Sequence, residues 1–472
     1  MRGILGWGVH LPYRRLDRAG IAGVAGGGGG KGTRTVASYD EDTTTMAVEA
    51  VRAALRGGRS PAPGSLGGLW FATTAPAYQD RTNAAAIHAA ARLERTVPAF
   101  DLTGAVRSTV AALDAALGGS GAHLVVGSDL RGGRPGSADE ASGGDGAAAV
   151  LIGSGDEGLP LLATLEARAS VTEEFLDRWR APGDPASKTW EERFGETRYT
   201  NLGLEAWTGL LAASGLDASE IDLLMVCGTH DRAVASFVKK TGVAADRVVD
   251  RLGRTVGNTG AAEPALLLAS ALEQAAPRQN VALLVLADGA DAFLWRTTDA
   301  LAAYRPDRAV ADQAGSGGPV AYGRYLAWRG FLPVEPPRRP EPARASASAS
   351  SRSTDWKFGL VGTERADGGV HLPPSAFDDR PHPASESRGT IVTFTVDRLA
   401  YSPSPPVVFA VVDFDNGGRL PIELTDVDPD EVAIGGRVEA TFRRLSTADG
   451  VHNYFWKARP VRSEGTDAEE EH

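Results

Sequence analysis

The side chains best suited to chemistry in this 472-residue chain lie in two short turns. Thr229-His230-Asp231 closes an apolar run from Ile221 to Cys227, and Val256-Gly257-Asn258-Thr259 leads into a helical one. An imidazole can give or take a proton, and a side-chain amide is a neutral hydrogen-bond donor. Each also has a plain structural reading, since a histidine after a strand is often packing and Gly-Asn-Thr-Gly is turn chemistry by itself. Asp288-Gly289 follows another apolar run and adds a carboxylate that could line a site or cap its own loop. Cys227 lies three residues before His230 but ends an apolar strand, where a free cysteine packs as a small hydrophobe.

The elements that must hold these residues alternate. Over the first 300 or so residues, short apolar strands interleave with amphipathic helices, which predicts an α/β fold with buried sheets. Strands are expected at 68–73, 122–127, 147–153, 221–227 and 281–287, and helices at Thr43–Leu55, Asn83–Leu93, Arg107–Leu117, Ala233–Thr241 and Ala261–Ala275. The strand, small-residue turn and helix of Asp101 to Leu117 have a parallel in Val256 and the helix beyond it, which suggests a duplicated half. Gly26 to Gly32 reads as a flexible loop, because no strand-Gly-Lys-Ser/Thr-helix context makes it a phosphate cradle.

After residue 330 the composition changes to a Pro-rich and then Ala-Ser-rich linker. Beyond it, alternating runs such as Thr390–Val396 and Val407–Phe414, with Asn416-Gly-Gly as a hairpin turn, predict a small barrel. The acidic end reads as a disordered tail. A net charge of -11 argues against a nucleic-acid partner. No stretch is long and apolar enough to cross a bilayer, and the start reads as a strand rather than a signal peptide, so a cytoplasmic location is expected. One cysteine excludes an internal disulfide or a multi-thiolate metal site.

Several segments resemble one family. Gly3-Ile-Leu-Gly-Trp-Gly-Val-His-Leu-Pro, Asp40-Glu-Asp-Thr-Thr-Thr-Met-Ala-Val-Glu-Ala and Val256-Gly-Asn-Thr look like 3-hydroxy-3-methylglutaryl-CoA synthases of the thiolase superfamily. Trp356-Lys-Phe-Gly-Leu-Val-Gly-Thr, His371-Leu-Pro-Pro and Asp428-Pro-Asp-Glu-Val resemble the zinc-ribbon and OB-fold module that accompanies many such enzymes. The resemblance implies a duplicated, five-layered thiolase-like α/β fold followed by an all-β OB barrel. Its expected divisions are halves at 1–155 and 156–330, a linker at 331–355, a degenerate zinc ribbon at 356–388, the barrel at 389–464 and the tail at 465–472.

The resemblance also implies four catalytic groups, and two are missing. Val106 stands at the nucleophilic cysteine, where the helix start would activate a thiolate but a valine can only pack. Thr74 falls on or beside the acid/base glutamate. His230 and Asn258 match the carbonyl-binding pair and are the expected catalytic residues. Tyr78, Asp288 and Gly289 are the expected substrate contacts, with Tyr78 a candidate acid, while Arg178 and Arg180 are expected to be surface or interface charges. Arg365-Ala-Asp-Gly368 replaces a Cys-x-x-Cys pair, so no bound metal is expected.

Three functions stay open on this reading. The chain could make or break a C–C bond of an acyl-CoA without a covalent intermediate, as in retro-aldol cleavage; similar cysteine-less thiolase-like proteins paired with OB modules act in sterol side-chain degradation. It could instead be a non-catalytic acyl-CoA-binding subunit that docks a thiolase through its OB module. Or it could condense acyl groups with a relocated nucleophile, for which Thr74, Ser108 and Cys227 are the candidates. The expected partners are an acyl-CoA, present as substrate or ligand rather than as a permanent cofactor, and a second copy of the chain.

Overall fold

A computed structural model describes residues 1–56, 59–378 and 380–462; the expected acidic tail at 465–472 lies outside them. Five strands form one wing of the main sheet, in the order Ala99–Thr103, Leu66–Thr73, Ala122–Asp129, Gly146–Gly153 and Gly3–His10. Four more form the other, in the order Ala163–Val171, Ala290–Thr297, Asn280–Leu286 and Leu223–Gly228. The wings meet only where Gly3 and Ile4 pair with Thr164 and Ala163, so they fold over one another instead of lying flat.

Between the wings run two helices, Ser108–Gly118 and Glu263–Gln274. The second is apolar on nearly every side because both wings cover it: Leu266, Leu267, Leu268 and Leu272 share a core with Trp7 and Val150 of one wing and with Leu283 and Trp295 of the other. A helix buried all round cannot be amphipathic. The outer face of the first wing carries Thr43–Leu55 and Ala84–Ala90, and that of the second carries Glu192–Ser214 and Asp231–Val238. The result is five layers, α/β/α/β/α, a thiolase-like arrangement.

Thr43–Leu55 begins and ends where its sequence predicts, with Asp42 and Thr45 closing a capping box. Several elements escaped the sequence pattern. The 23-residue helix Glu192–Ser214 buries one stripe, Tyr199, Leu202, Ala206, Trp207 and Leu210, among many polar residues, and the strands Ala163–Val171 and Ala290–Thr297 carry charges that blur the alternation. Part of the expected linker is helical, at Ala347–Arg352.

A second helix, Thr354–Gly359, leads into a three-stranded antiparallel hairpin of Val361–Glu364, Val370–His371 and Arg380–Pro383. Its turn holds Arg365 and Asp367 as an ion pair, a donor set without thiolate; the donors present there do not suit zinc. The strands Arg388–Asp397, Val407–Phe414, Arg419–Leu424, Arg437–Ala448 and Val451–Pro460 close into a barrel. Asn416-Gly-Gly makes the predicted hairpin turn, with Gly417 and Gly418 at φ of +103° and +85°. Among the described residues no helix is long and apolar enough to cross a membrane.

The barrel is fastened to the core through buried charge. Arg443 pairs with Glu41 and, at 2.8 Å, with Asp426. Lys457 meets Asp40 at 3.0 Å and also Glu423. Arg459 bridges Glu49 at 3.1 Å and Glu439 at 2.8 Å. Tyr454 donates to Asp42 at 2.8 Å, so the residue that caps the core helix also anchors the barrel.

Candidate active site

Val106 ends the small-residue turn between the strand Ala99–Thr103 and the helix that starts at Ser108, and it is 7% exposed. It forms part of the wall of a cavity of about 660 Å³. The neighbouring Arg107 crosses to the other half of the fold. Its guanidinium donates to Asp291 at 2.8 Å, to the Asp288 carbonyl at 2.8 Å and to the Val171 carbonyl at 3.3 Å. Helix start and the 287–291 loop are thus locked together beside the cavity.

Thr74 enters the same cavity from the end of its strand. Its hydroxyl lies 2.8 and 2.9 Å from the two oxygens of Asp129, a fully buried carboxylate that also accepts from the backbone of Thr74 and Ala261. Thr74 therefore has a carboxylate one layer behind it, but that carboxylate is saturated with donors.

His230 and Asn258 are committed elsewhere, which departs from the sequence reading. His230 caps the helix Asp231–Val238: its Nδ1 accepts from Ala233 N–H at 3.1 Å, and its Nε2–H donates to the Glu192 carbonyl at 3.0 Å. Asn258 spends its NH₂ on the Gly228 carbonyl at 2.8 Å and on Glu263 at 2.9 Å, while its Oδ1 accepts from Gly260. An amide has two donor hydrogens and both are used. Neither residue lines this cavity; Thr229, adjacent to His230, does.

The expected substrate contacts divide. Asp288 lines the cavity in a left-handed conformation, φ +51°. Partial burial raises its carboxyl pKa, Arg107 opposes the rise, and Asp177 and Glu174 add to it. Gly289 has another job: a Cβ there would lie 2.5 Å from the Arg107 guanidinium, so glycine is required for the Arg107 clamp. Tyr78 braces the barrel, its hydroxyl accepting from His452 N–H at 2.7 Å and its ring lying 5.0 Å from the imidazole.

Several cavity residues left no local mark in the sequence. Tyr199 reaches in from the middle of a long helix, its phenol raised by burial and by the nearby Asp288 and Asp177. Arg178 and Arg180, expected at the surface, line the cavity instead: Arg178 forks onto Asp139 at 2.7 and 2.8 Å, and Arg180 reaches the Thr74 carbonyl. Arg131 completes this side. Arg444 and His452 come from the barrel hairpin, so one wall of the cavity belongs to the second domain. Burial pushes the His452 pKa down, as does the charge of Arg444. Cys227 is fully buried in the core between the wings, its thiol pushed well up by burial, and it does not reach the cavity.

In chemical terms the cavity offers an apolar floor at Val106, a carboxyl group and a phenol at Asp288 and Tyr199, and arginines at its rim. Comparison with known proteins places this geometry. Residues 382–443 match the family described as ChsH2, C-terminal OB-fold domain. Residues 211–294 match 3-oxoacyl-[acyl-carrier-protein (ACP)] synthase III C terminal. The hydroxymethylglutaryl-CoA synthase of Aeropyrum pernix is 30% identical over 318 residues, which are 64% of this chain and 87% of that protein. That of Methanothermobacter thermautotrophicus is 29% identical over 349 residues, 70% of this chain and 99% of that protein. Among solved structures, HMG-CoA synthase complexed with CoA aligns with a TM-score of 0.58 at 16% identity, covering 69% of this chain and 89% of that one. MvaS in complex with 3-hydroxy-3-methylglutaryl coenzyme A aligns at 0.57 and 20% identity, covering 73% and 95%. At such identities these structures speak to the fold.

Proposed function

The chain belongs to the hydroxymethylglutaryl-CoA synthase family, and from that premise we propose that it acts on an acyl-CoA thioester without a covalent acyl-enzyme. The observation that carries this reading is Val106, which holds the helix-start position on the cavity wall with a side chain that cannot attack. A relocated nucleophile has little support. Cys227 is sealed in the core, the Thr74 hydroxyl is held by Asp129, and Ser108 is absent from the cavity wall.

The reaction we propose is retro-aldol cleavage of a β-hydroxyacyl-CoA. The Asp288 carboxylate takes the hydroxyl proton, and the β-carbon becomes a carbonyl. The Cα–Cβ electron pair passes into the thioester as an enolate. Return of a proton to Cα then releases the shorter acyl-CoA, with the Tyr199 and Thr229 hydroxyls as donors near the enolate oxygen. Coenzyme A serves as the substrate's carrier rather than as a resident cofactor. Arg131, Arg178, Arg180 and Arg444 supply the cationic rim that its phosphates need.

The test is a panel of β-hydroxyacyl-CoAs, scored for release of aldehyde or ketone, together with intact mass after incubation with acetyl-CoA. Carbonyl release with no mass gain is expected; an acetylated chain would overturn the reading. A second reading, acyl-CoA binding without turnover, is favoured by the full commitment of His230 and Asn258. Binding by the whole panel without release would establish it. The barrel's ion network with its own core argues against its serving a separate thiolase. A homodimer is also part of the proposal: Ala99–Thr103 ends the sheet with Phe100 47% exposed, and Phe100→Glu should sediment as a monomer.

A further inference from the structure

A second cavity, of about 740 Å³, lies at the seam between core and barrel and shares no lining residue with the first. Its charges do not cancel. Arg56, Arg308 and Arg459 are paired with Asp307, Glu386 and Glu439, and Asp426 is held by Arg443. Among the described residues, three lining arginines make no ion pair: Arg15, Arg388 and Arg462. They face one lining carboxylate without an ion pair, Asp312.

These cations come from three separate places: the strand Arg14–Asp17, the start of the barrel strand Arg388–Asp397, and the end of the described chain. Arg15 is 9% exposed and bonds only backbone carbonyls, those of Pro12, Arg14 and Gln313, leaving its buried Nε without a partner. Arg462 donates to the Asp426 carbonyl at 2.7 Å and lies 3.5 Å over the Tyr13 ring. Burial pushes the Arg15 guanidinium down to about 10, and Arg462 adds to the effect despite Glu41 and Tyr13. Burial lowers Arg462 as well. Glu41 and Asp426 act on Arg15 and Arg462 without forming an ion pair with them, so an anion that bridges the cations offsets part of the cost of burying them.

We propose that this cavity binds a phosphate-bearing small molecule, gripped by Arg15, Arg388 and Arg462. Guanidinium groups brought to one cavity from three places in the chain suit the several oxygens of a phosphate group or polyphosphate better than a lone carboxylate. Room for more than the anion suits a phosphate carried on an organic group as well as pyrophosphate itself.

The test is calorimetric titration of the full chain with pyrophosphate, with ADP and with citrate. Pyrophosphate or ADP should bind, and citrate should bind more weakly. Arg388→Gln, at an exposed position, and Arg462→Gln, at a half-buried one, should each weaken binding about tenfold, the low end of a lost charge-assisted contact. Arg180→Gln at the first cavity should leave pyrophosphate binding unchanged. Tighter binding of ADP than of pyrophosphate would identify an organic phosphate, and the reverse order the inorganic ion. Four results would each overturn the proposal: no binding, equal binding of citrate, loss of binding only in Arg180→Gln, or binding only in a chain ended after Arg462. Because Arg180 belongs to the acyl-CoA reading, failure of that reading would leave this result intact.

Discussion

The barrel–core seam and the cavity beside Val106 both bury carboxylates, yet their proton affinities move in opposite directions. At the seam, burial alone would raise Asp40, Glu49 and Glu439, but Lys457, Arg52, Arg459 and Arg308 outweigh it and hold all three below the usual range. Around the cavity, Asp288 and Asp177 are raised by burial, and the arginines nearby do not reverse it. Behind them Glu263 is raised too, despite Arg251. The desolvation is alike in kind, and the difference lies in the supply of cations. A fully countered network fixes geometry. An under-countered carboxyl group keeps its proton to a higher pH than a countered one, a property that suits proton transfer and that a hinge between domains does not need.

The comparison breaks most visibly at Arg443. Arg443→Ala strands Glu41 and Asp426 in the interior, and such a loss costs about 3–5 kcal/mol. The urea midpoint should fall steeply, and protease should cleave between core and barrel. A midpoint within error of the parent chain would mean that the seam is not held by this network.

Asp288→Asn probes the other region. General acid–base groups contribute roughly 10²–10⁴ in rate, so carbonyl release should fall by that factor while the urea midpoint stays level or rises. Unfolding in parallel with the loss of rate would make Asp288 a structural residue. His230→Ala and Asn258→Ala should behave oppositely, losing a helix cap and a half-buried three-bond amide respectively, each at about 1–2 kcal/mol of stability.

Acid separates the two regions directly. Burial opposes but does not overcome Arg459 and Arg308, which bring Glu439 to about 2 from an ordinary 4.5. A carboxyl group lowered in the folded state stabilises fully above its unfolded pKa, and that stability is lost as the pH falls toward the folded value. The seam should therefore weaken from about pH 4.5 down to about 2. Asp288 has the reverse sign: raised in the fold, it binds its proton more tightly than the unfolded chain does, so it adds no weakening over that descent. Glu439→Gln should shrink the acid loss seen in the urea midpoint.

The same contrast explains what could be read from the sequence. Repeating apolar strands and amphipathic helices such as Thr43–Leu55 announced the layers, because burial is written in the spacing of neighbouring residues. The apolar helix start at Val106 was equally legible. His230 and Asn258 matched by residue type, but type does not report where a side chain spends its hydrogen bonds, and here backbone groups and Glu263 take them. Arg444, His452 and Tyr199 reach the cavity through the docking of a second domain and the turn of a long helix, and no local pattern encodes either. Arg178 and Arg180 look like surface charges until the short pairing of Arg178–Trp179 with Lys188–Thr189 folds them over the cavity.

Tyr78 offers the smallest effect and the finest discrimination, because it stands where the two regions meet. Its hydroxyl accepts from the His452 backbone, and the carbonyl of the preceding Ala77 raises the proton affinity of that imidazole against burial and Arg444. Removing one hydrogen bond costs about 0.5–1.5 kcal/mol, so Tyr78→Phe should lower the urea midpoint slightly and leave carbonyl release within about twofold, since the ring that supports His452 remains. That pattern makes Tyr78 a brace shared by barrel and cavity. A hundredfold loss of rate with an unchanged midpoint would instead make its phenol the acid, and the division between a structural seam and a reactive cavity would then run through this one side chain.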